Sequence, residues 1–153
     1  MHRLAMTMAA AGLFASSAMA AELNTAAVTY KIPEDIDWKA PSSNAGVRQA
    51  VVVGDPSKPG LYVQLTKWLP GNMSRPHFHN SDRYFIVVKG TWWVGTGNKF
   101  DPDQTVPMRA GTTVTHFANG VHYDGAKDEQ ATILVWGEGP ATSTPFAPPA
   151  AAK

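Results

Sequence analysis

From Val47 onward the chain is interrupted by turn residues about every ten positions, and between the interruptions its apolar residues recur at sheet rather than helical spacing. Segments this short can satisfy their backbone hydrogen bonds only by pairing side by side, so the pattern commits the chain to sheets. Val47 to Val53 reads as a strand, closed by Gly54-Asp55-Pro56 and Lys58-Pro59-Gly60. Leu61, Val63 and Leu65 alternate with Tyr62, Gln64 and Thr66 in a half-buried strand that stops at Pro70-Gly71. Arg83 to Val88, Thr91 to Val94, Gly111 to Phe117 and Ala131 to Trp136 continue the series. No helical period follows residue 46, and no repeat of about 20–50 residues is visible. The predicted fold class is all-β, a single small antiparallel sandwich or barrel over 45–138. An irregular N-terminal segment, 21–44, precedes it, with Pro33, Pro41 and an acidic cluster at 34–37. The tail 139–153, GPATSTPFAPPAAAK, is Pro/Ala-rich and predicts a disordered segment or an extended arm.

Residues 1–20 have the organisation of a signal peptide. Arg3 provides a short positive region, Leu4 to Ala15 an apolar stretch too short to span a bilayer, and Ala18-Met19-Ala20 a cleavage site. The mature chain is therefore expected to begin at Ala21 and to be periplasmic or secreted. Lys plus Arg number 13 and Asp plus Glu 12, which leaves no electrostatic footprint for nucleic acid or an anionic membrane. Phosphate-cradling glycine motifs are missing too. The chain has no cysteine, so thiolate nucleophiles, thiolate zinc sites and iron–sulfur clusters are excluded.

Beyond the leader the histidines are His77, His79, His116 and His122. On a strand, residues two apart share a face, so His77 and His79 can present both imidazoles to one point, the arrangement a transition metal requires. Their flanks, Gly71-x5-His77-x-His79-x3-Arg83-x6-Gly90, match the first motif of the cupin family except where Arg83 takes the place of Glu. Gly111-x5-Phe117-x-Asn119-x2-His122 is similar to the second cupin motif, with the histidine in register. There Phe117 replaces Pro, Asn119 replaces Gly and Ala126 replaces Asn. Asparagine is the best non-glycine residue in a left-handed turn, so Asn119 keeps the backbone property of its position. The segment containing "DRY" and "GTWWVGTG" is similar to those of a group of small exported bacterial cupins.

The resemblance implies a jelly-roll β-barrel holding one divalent transition metal ion, with His77, His79 and His122 as its ligands. It also implies a homodimer, since cupins commonly pair barrels edge to edge. Arginine stays protonated and cannot ligate a cation, so the glutamate's place is chemically empty. Three readings follow. The site has three histidines and open positions for water, dioxygen or substrate, as in the cupin thiol and diketone dioxygenases; or a shifted register brings Asp82 or Tyr84 to the metal; or Arg83 points out of the barrel. By strand parity Arg83 shares the face of His79, which favours an anionic substrate and calls for Asp82 or Asp124 as a partner. Three neutral histidines favour iron, copper, nickel, manganese or zinc over magnesium or calcium.

Tyr84 and His116 are candidate catalytic groups, with an outward-packed tyrosine and a structural or ligand-orienting histidine as the alternatives. Trp92 and Trp93, with Arg83, are the candidate substrate contacts; being adjacent they face opposite ways, one into the barrel near the site, the other outward as a platform for a sugar or an aromatic substrate or into a subunit interface. The expected function is a mononuclear metal-dependent oxidoreductase, dioxygenase-like, cleaving or oxidising a small organic molecule. A non-catalytic periplasmic metal- or ligand-binding protein is the alternative, and a storage barrel the third.

Overall fold

The computed structural model describes residues 21–41 and 44–147. The expected signal peptide at 1–20 and the end of the tail from 148 lie outside the described residues. The chain divides into a leading unit that ends at Glu34 and a β-rich unit that begins at Asp35. In the leading unit Asn24 closes a turn, its carbonyl accepting from the amides of Ala27 and Val28 and its side-chain oxygen from that of Ala26.

The β-rich unit contains β1 (Val47–Val53), β2 (Gly60–Trp68), β3 (His77–Phe78), β4 (Arg83–Lys89), β5 (Thr91–Thr96), β6 (Val106–Arg109), β7 (Thr113–His116), β8 (His122–Gly125), β9 (Ala131–Gly139) and β10 (Thr144–Pro145). They form two antiparallel sheets, ordered β1-β2-β9-β4-β7 and β10-β3-β8-β5-β6. Short 3-10 turns lie at Pro33–Asp35 and Pro102–Gln104. The all-β prediction is met. β1 has the predicted bounds, β2, β4, β5 and β9 run past them, and the strand expected at Gly111–Phe117 narrows to β7. Strands β3, β6, β8 and β10 span only two to four residues each, too few for alternation to register in the sequence.

Between the sheets, Val47, Trp68, Phe85, Val87, Ala131, Ile133 and Val135 pack against Trp92, Val94 and Ala126. The Phe85 and Trp92 rings meet 5.0 Å apart across the gap. A cavity of about 700 Å³ adjoins this cluster, with Val47, Trp68, Phe85, Trp92, Ile133 and Val135 forming part of its wall. The cavity explains the orientation of β2. Its alternation is real, but Tyr62, Gln64 and Thr66 line the cavity while Leu61 faces out, more than half exposed. A polar strand face turned inward requires something polar to meet there. On the outside, cross-strand rows Val63–Trp136–Tyr84 and Leu65–Leu134–Ile86 run over β2, β9 and β4.

The described part of the tail, 139–147, is an extended arm laid along the cavity edge. Ala141 donates its amide to the Pro56 carbonyl, Thr142 to the Asn80 side chain, and Phe146 to the Pro76 carbonyl. β10 then pairs with β3, setting Pro145 opposite His77.

Candidate metal centre

β3 and β8 are cross-strand partners at a single pair of residues, His77 and His122. The two sequence motifs thus meet at their histidines, and His79 follows β3 by one residue. The loop before β8 is shaped by Asn119, whose φ of 62° realises the left-handed turn expected of it. Its amide donates to the His79 carbonyl at 2.8 Å, tying one motif's backbone to the other. The result is a triangle of imidazoles with ring centroids 4.4 Å (His77–His122), 4.9 Å (His77–His79) and 4.9 Å (His79–His122) apart. Their coordinating nitrogens all lie within 4.8 Å of one another.

Each ring is held by one nitrogen. Nδ1 of His77 is 2.8 Å from the Arg75 carbonyl, Nδ1 of His79 2.9 Å from the Thr142 carbonyl, and Nδ1 of His122 2.9 Å from the Gly120 carbonyl. A carbonyl only accepts, so all three Nδ1 atoms carry the proton and all three Nε2 atoms present lone pairs. Nε2 of His122 is buried and has no hydrogen-bond partner among the described residues. Burial pushes His79 down to about 3 and His122 to about 4, with the Arg83 cation adding to both, so these imidazoles are neutral at physiological pH. Neutral rings of one tautomer, fixed by backbone acceptors, are what a divalent transition ion binds, and the residues fit such an ion.

A second group, His116, His122 and Asp124, also brings its ligand atoms within 4.8 Å of one another and shares His122 with the first. His116 sits between aromatic rings, 4.6 Å from Phe85 and 5.4 Å from Trp92, and neither of its nitrogens has a hydrogen-bond partner among the described residues. Burial, then the neighbouring imidazoles, lowers it to about 2. Without a carbonyl to set its tautomer it is not prepared as the other three are, and its ring, 3.9 Å from that of His122, backs the site. Asp124, one alternation beyond His122 on β8, is buried with Oδ2 3.7 Å from His122 Nε2. Burial pushes this carboxyl up, against the opposing pull of His77. A buried carboxylate of the other motif thus lies beside His122, in the second group and not in the three-histidine one.

Arg83 points inward and lines the cavity together with His77, His79 and His116. Asp82 does not pair with it; that carboxylate accepts from the Ala118 amide at 2.7 Å. Among the described residues Arg83 has no salt bridge, and its Nη2 donates to the Thr142 carbonyl at 2.8 Å. Tyr84 lies on the outer sheet face, 41% exposed and stacked on Trp136 at 6.0 Å, away from the histidines. Trp92 is fully buried at the cavity wall, whereas Trp93 faces out beneath Lys127, whose Nζ sits 4.0 Å from its ring centroid. Sequence reasoning missed Tyr62 and Thr142. Tyr62 was signalled by an aromatic residue in the polar set of β2; Thr142 acts through its carbonyl, which has no sequence signature.

Solved structures of low sequence identity share this architecture. The polyketide cyclase RemF from Streptomyces resistomycificus superposes with a TM-score of 0.62 at 14% identity, over 80% of this chain and 88% of that one. A cupin-like protein from Thermotoga maritima gives 0.58 at 21%, over 72% and 86%. This chain has the cupin fold. A cupin-superfamily sugar phosphate isomerase from Silicibacter pomeroyi gives 0.59 at 18%, over 77% and 83%. No protein-family model and no curated protein matches the sequence. In this cupin-fold chain the three histidines expected from the motifs converge, Arg83 joins them at the cavity, and Tyr84 and Trp93 stand outside it.

Proposed function

We propose that this cupin is an exported, mononuclear metal-dependent enzyme that oxidises or cleaves a small organic substrate in the cavity beside His77, His79 and His122. One observation carries the reading: three histidines, each fixed by a carbonyl on its Nδ1, bring their ligand atoms together, and two of them, His77 and His79, line a cavity large enough for a small molecule. A bound iron or copper ion would supply Lewis acidity and redox chemistry there. The protein's own part is to orient and enclose. The aromatic and aliphatic wall formed by Trp68, Phe85, Trp92, Ile133 and Val135 excludes water, and Asp124 offsets part of the positive charge of the site. Solved relatives of the same fold include a polyketide cyclase and a sugar phosphate isomerase, which is consistent with a small-molecule substrate. The signal-peptide organisation of residues 1–20 supports a periplasmic or secreted location.

The test is metal analysis of the protein purified from the exporting host, followed by oxygen consumption on a panel of small organic acids, ketones and catechols. One equivalent of iron or copper, lost in His77→Ala and His122→Ala, with oxygen uptake on a panel member, is expected. Equal metal content in wild type and variants refutes the three-histidine site. A full complement of redox-inert metal with no turnover favours the non-catalytic binder. The homodimer belongs to the same proposal, formed through the outer apolar rows of β2, β9 and β4. Lys67 and Lys89 flank Thr132 at one end of this face and Glu138 faces Leu61 at the other, so a two-fold axis across the strands sets opposite charges together. Light scattering should give twice the chain mass, reduced to one by Trp136→Ser; a monomeric wild type overturns it.

A further inference from the structure

Among the described residues, the buried hydrogen-bond donors at the cavity that lack an acceptor include Trp68 Nε1, Trp92 Nε1, Arg83 Nε and the Tyr62 hydroxyl, and the last two lie in one row. Arg83 Nε and the Tyr62 hydroxyl are both enclosed and unpartnered, on strands β4 and β2. They belong to one cross-strand row, since Arg83 pairs with Gly137 of β9 and Gly137 pairs with Tyr62. The row reads Tyr62–Gly137–Arg83, with a bare backbone at its centre. Gly137 does not have a positive φ, so its conformation is open to other residues and the reason for glycine is space. A Cβ there would come 3.3 Å from the Tyr62 hydroxyl and 3.1 Å from the Asp82 carbonyl. The missing side chain lets the Tyr62 ring lie close against β9, in the same row as Arg83.

The charge around this row is unbalanced. Arg83 has no salt bridge among the described residues, and Asp124, the acidic side chain that lines the cavity, lies against His122 instead. A desolvated guanidinium with a free Nε and a neighbouring hydroxyl is poorly satisfied by the protein alone and well satisfied by two oxygens of one anion. We propose that Tyr62, Gly137 and Arg83 form a carboxylate-binding notch, so that the substrate is a small organic acid. Its carboxylate sits between the Tyr62 hydroxyl and Arg83 Nε, and its apolar part extends along Phe85 and Trp92 toward the histidines. One guanidinium and one hydroxyl match a carboxylate monoanion; a phosphate dianion, with three terminal oxygens, finds too few donors. The proposal rests on the reading of the cavity as the substrate site, and names the substrate class that the site selects.

The experiment uses the full mature chain, metal-loaded and metal-stripped, titrated calorimetrically with benzoate, benzamide and phenyl phosphate. Benzoate should bind at least about tenfold more tightly than benzamide, and more tightly than phenyl phosphate. Arg83→Gln and Tyr62→Phe should each bring benzoate down by about ten- to hundredfold while leaving benzamide unchanged. Tyr62→Phe removes a single oxygen, so an unchanged melting temperature certifies its fold. Gly137→Ala should weaken benzoate binding with metal content unaltered. A wild type that binds benzoate no better than benzamide overturns the notch, as does benzoate binding that Arg83→Gln leaves intact. Tighter binding of phenyl phosphate overturns the carboxylate class. Persistence of benzoate binding in metal-stripped protein keeps this outcome separate from that of the metal site.

Discussion

Asn80 touches neither a metal ligand's ring nor the cavity wall, yet Asn80→Ala should weaken metal binding. Its side chain grips the arm twice, Nδ2 donating to the Pro140 carbonyl at 3.0 Å and Oδ1 accepting from the Thr142 amide at 2.9 Å. The carbonyl of that same Thr142 fixes Nδ1 of His79 and accepts from Arg83. Truncation removes two exposed hydrogen bonds, each with a net contribution of about 0.5–1.5 kcal/mol, so about 1–3 kcal/mol of stability is expected to go. Once the arm loosens, His79 loses the acceptor that sets its tautomer. Removing such a supporting partner directly costs about ten- to a hundredfold in metal affinity; acting one step further out, Asn80→Ala should cost about tenfold. The assay is competition of cobalt(II) or zinc between protein and a chromophoric chelator, with thermal melting of the metal-free protein alongside. An unaltered metal dissociation constant in a variant whose melting point has fallen would show that the arm stabilises the barrel without orienting the histidine, and would refute the reasoning.

Two further outcomes follow from the packing. Metal-stripped protein should lose stability on acidification: His79, His116 and His122 take up protons when unfolded near pH 6.5 but resist them when folded, so stability is present above that value and falls below it. Asp124, raised by burial, opposes one of the three, leaving a net of about two protons, or about 2–3 kcal/mol per pH unit between pH 6 and 5. Urea titrations at pH 7, 6 and 5 measure this, and a flat profile contradicts it. Gly125→Ala should destabilise by about 3 kcal/mol, because its Cβ would lie 2.2 Å from the Asn72 carbonyl oxygen and 2.5 Å from the Met73 Cα, backbone atoms that cannot rotate away. An unshifted melting curve would contradict that contact.

The sequence made the ligands legible because His77, His79 and His122 are side chains at fixed spacing, and β1 because seven residues are enough to show a strand between turns. It was silent on β3 and β10, where two residues carry no period and the pairing is set by the partner strand. The acceptors that tune the histidines, the carbonyls of Arg75, Gly120 and Thr142, belong to the backbone and are present in any sequence. Arg83 was readable as a departure from a motif, but its partners were not. The row that gives it meaning joins residues 62, 137 and 83, brought together by sheet order alone. Tyr84, one position along β4 from Arg83, faces the opposite side of the sheet, the outward packing weighed against its candidate catalytic role.

The three Nδ1–H groups aimed at main-chain carbonyls have a spectroscopic consequence. Hydrogen-bonded imidazole protons shielded from exchange resonate at the low-field edge of the proton spectrum, where little else appears. His79 and His122, both buried, carry such protons whether or not an ion is bound. The protein therefore contains its own reporters: signals in the empty state that should persist on titration with diamagnetic zinc, broaden with a paramagnetic ion, and, for His79, fade when the arm that supplies its acceptor lets go.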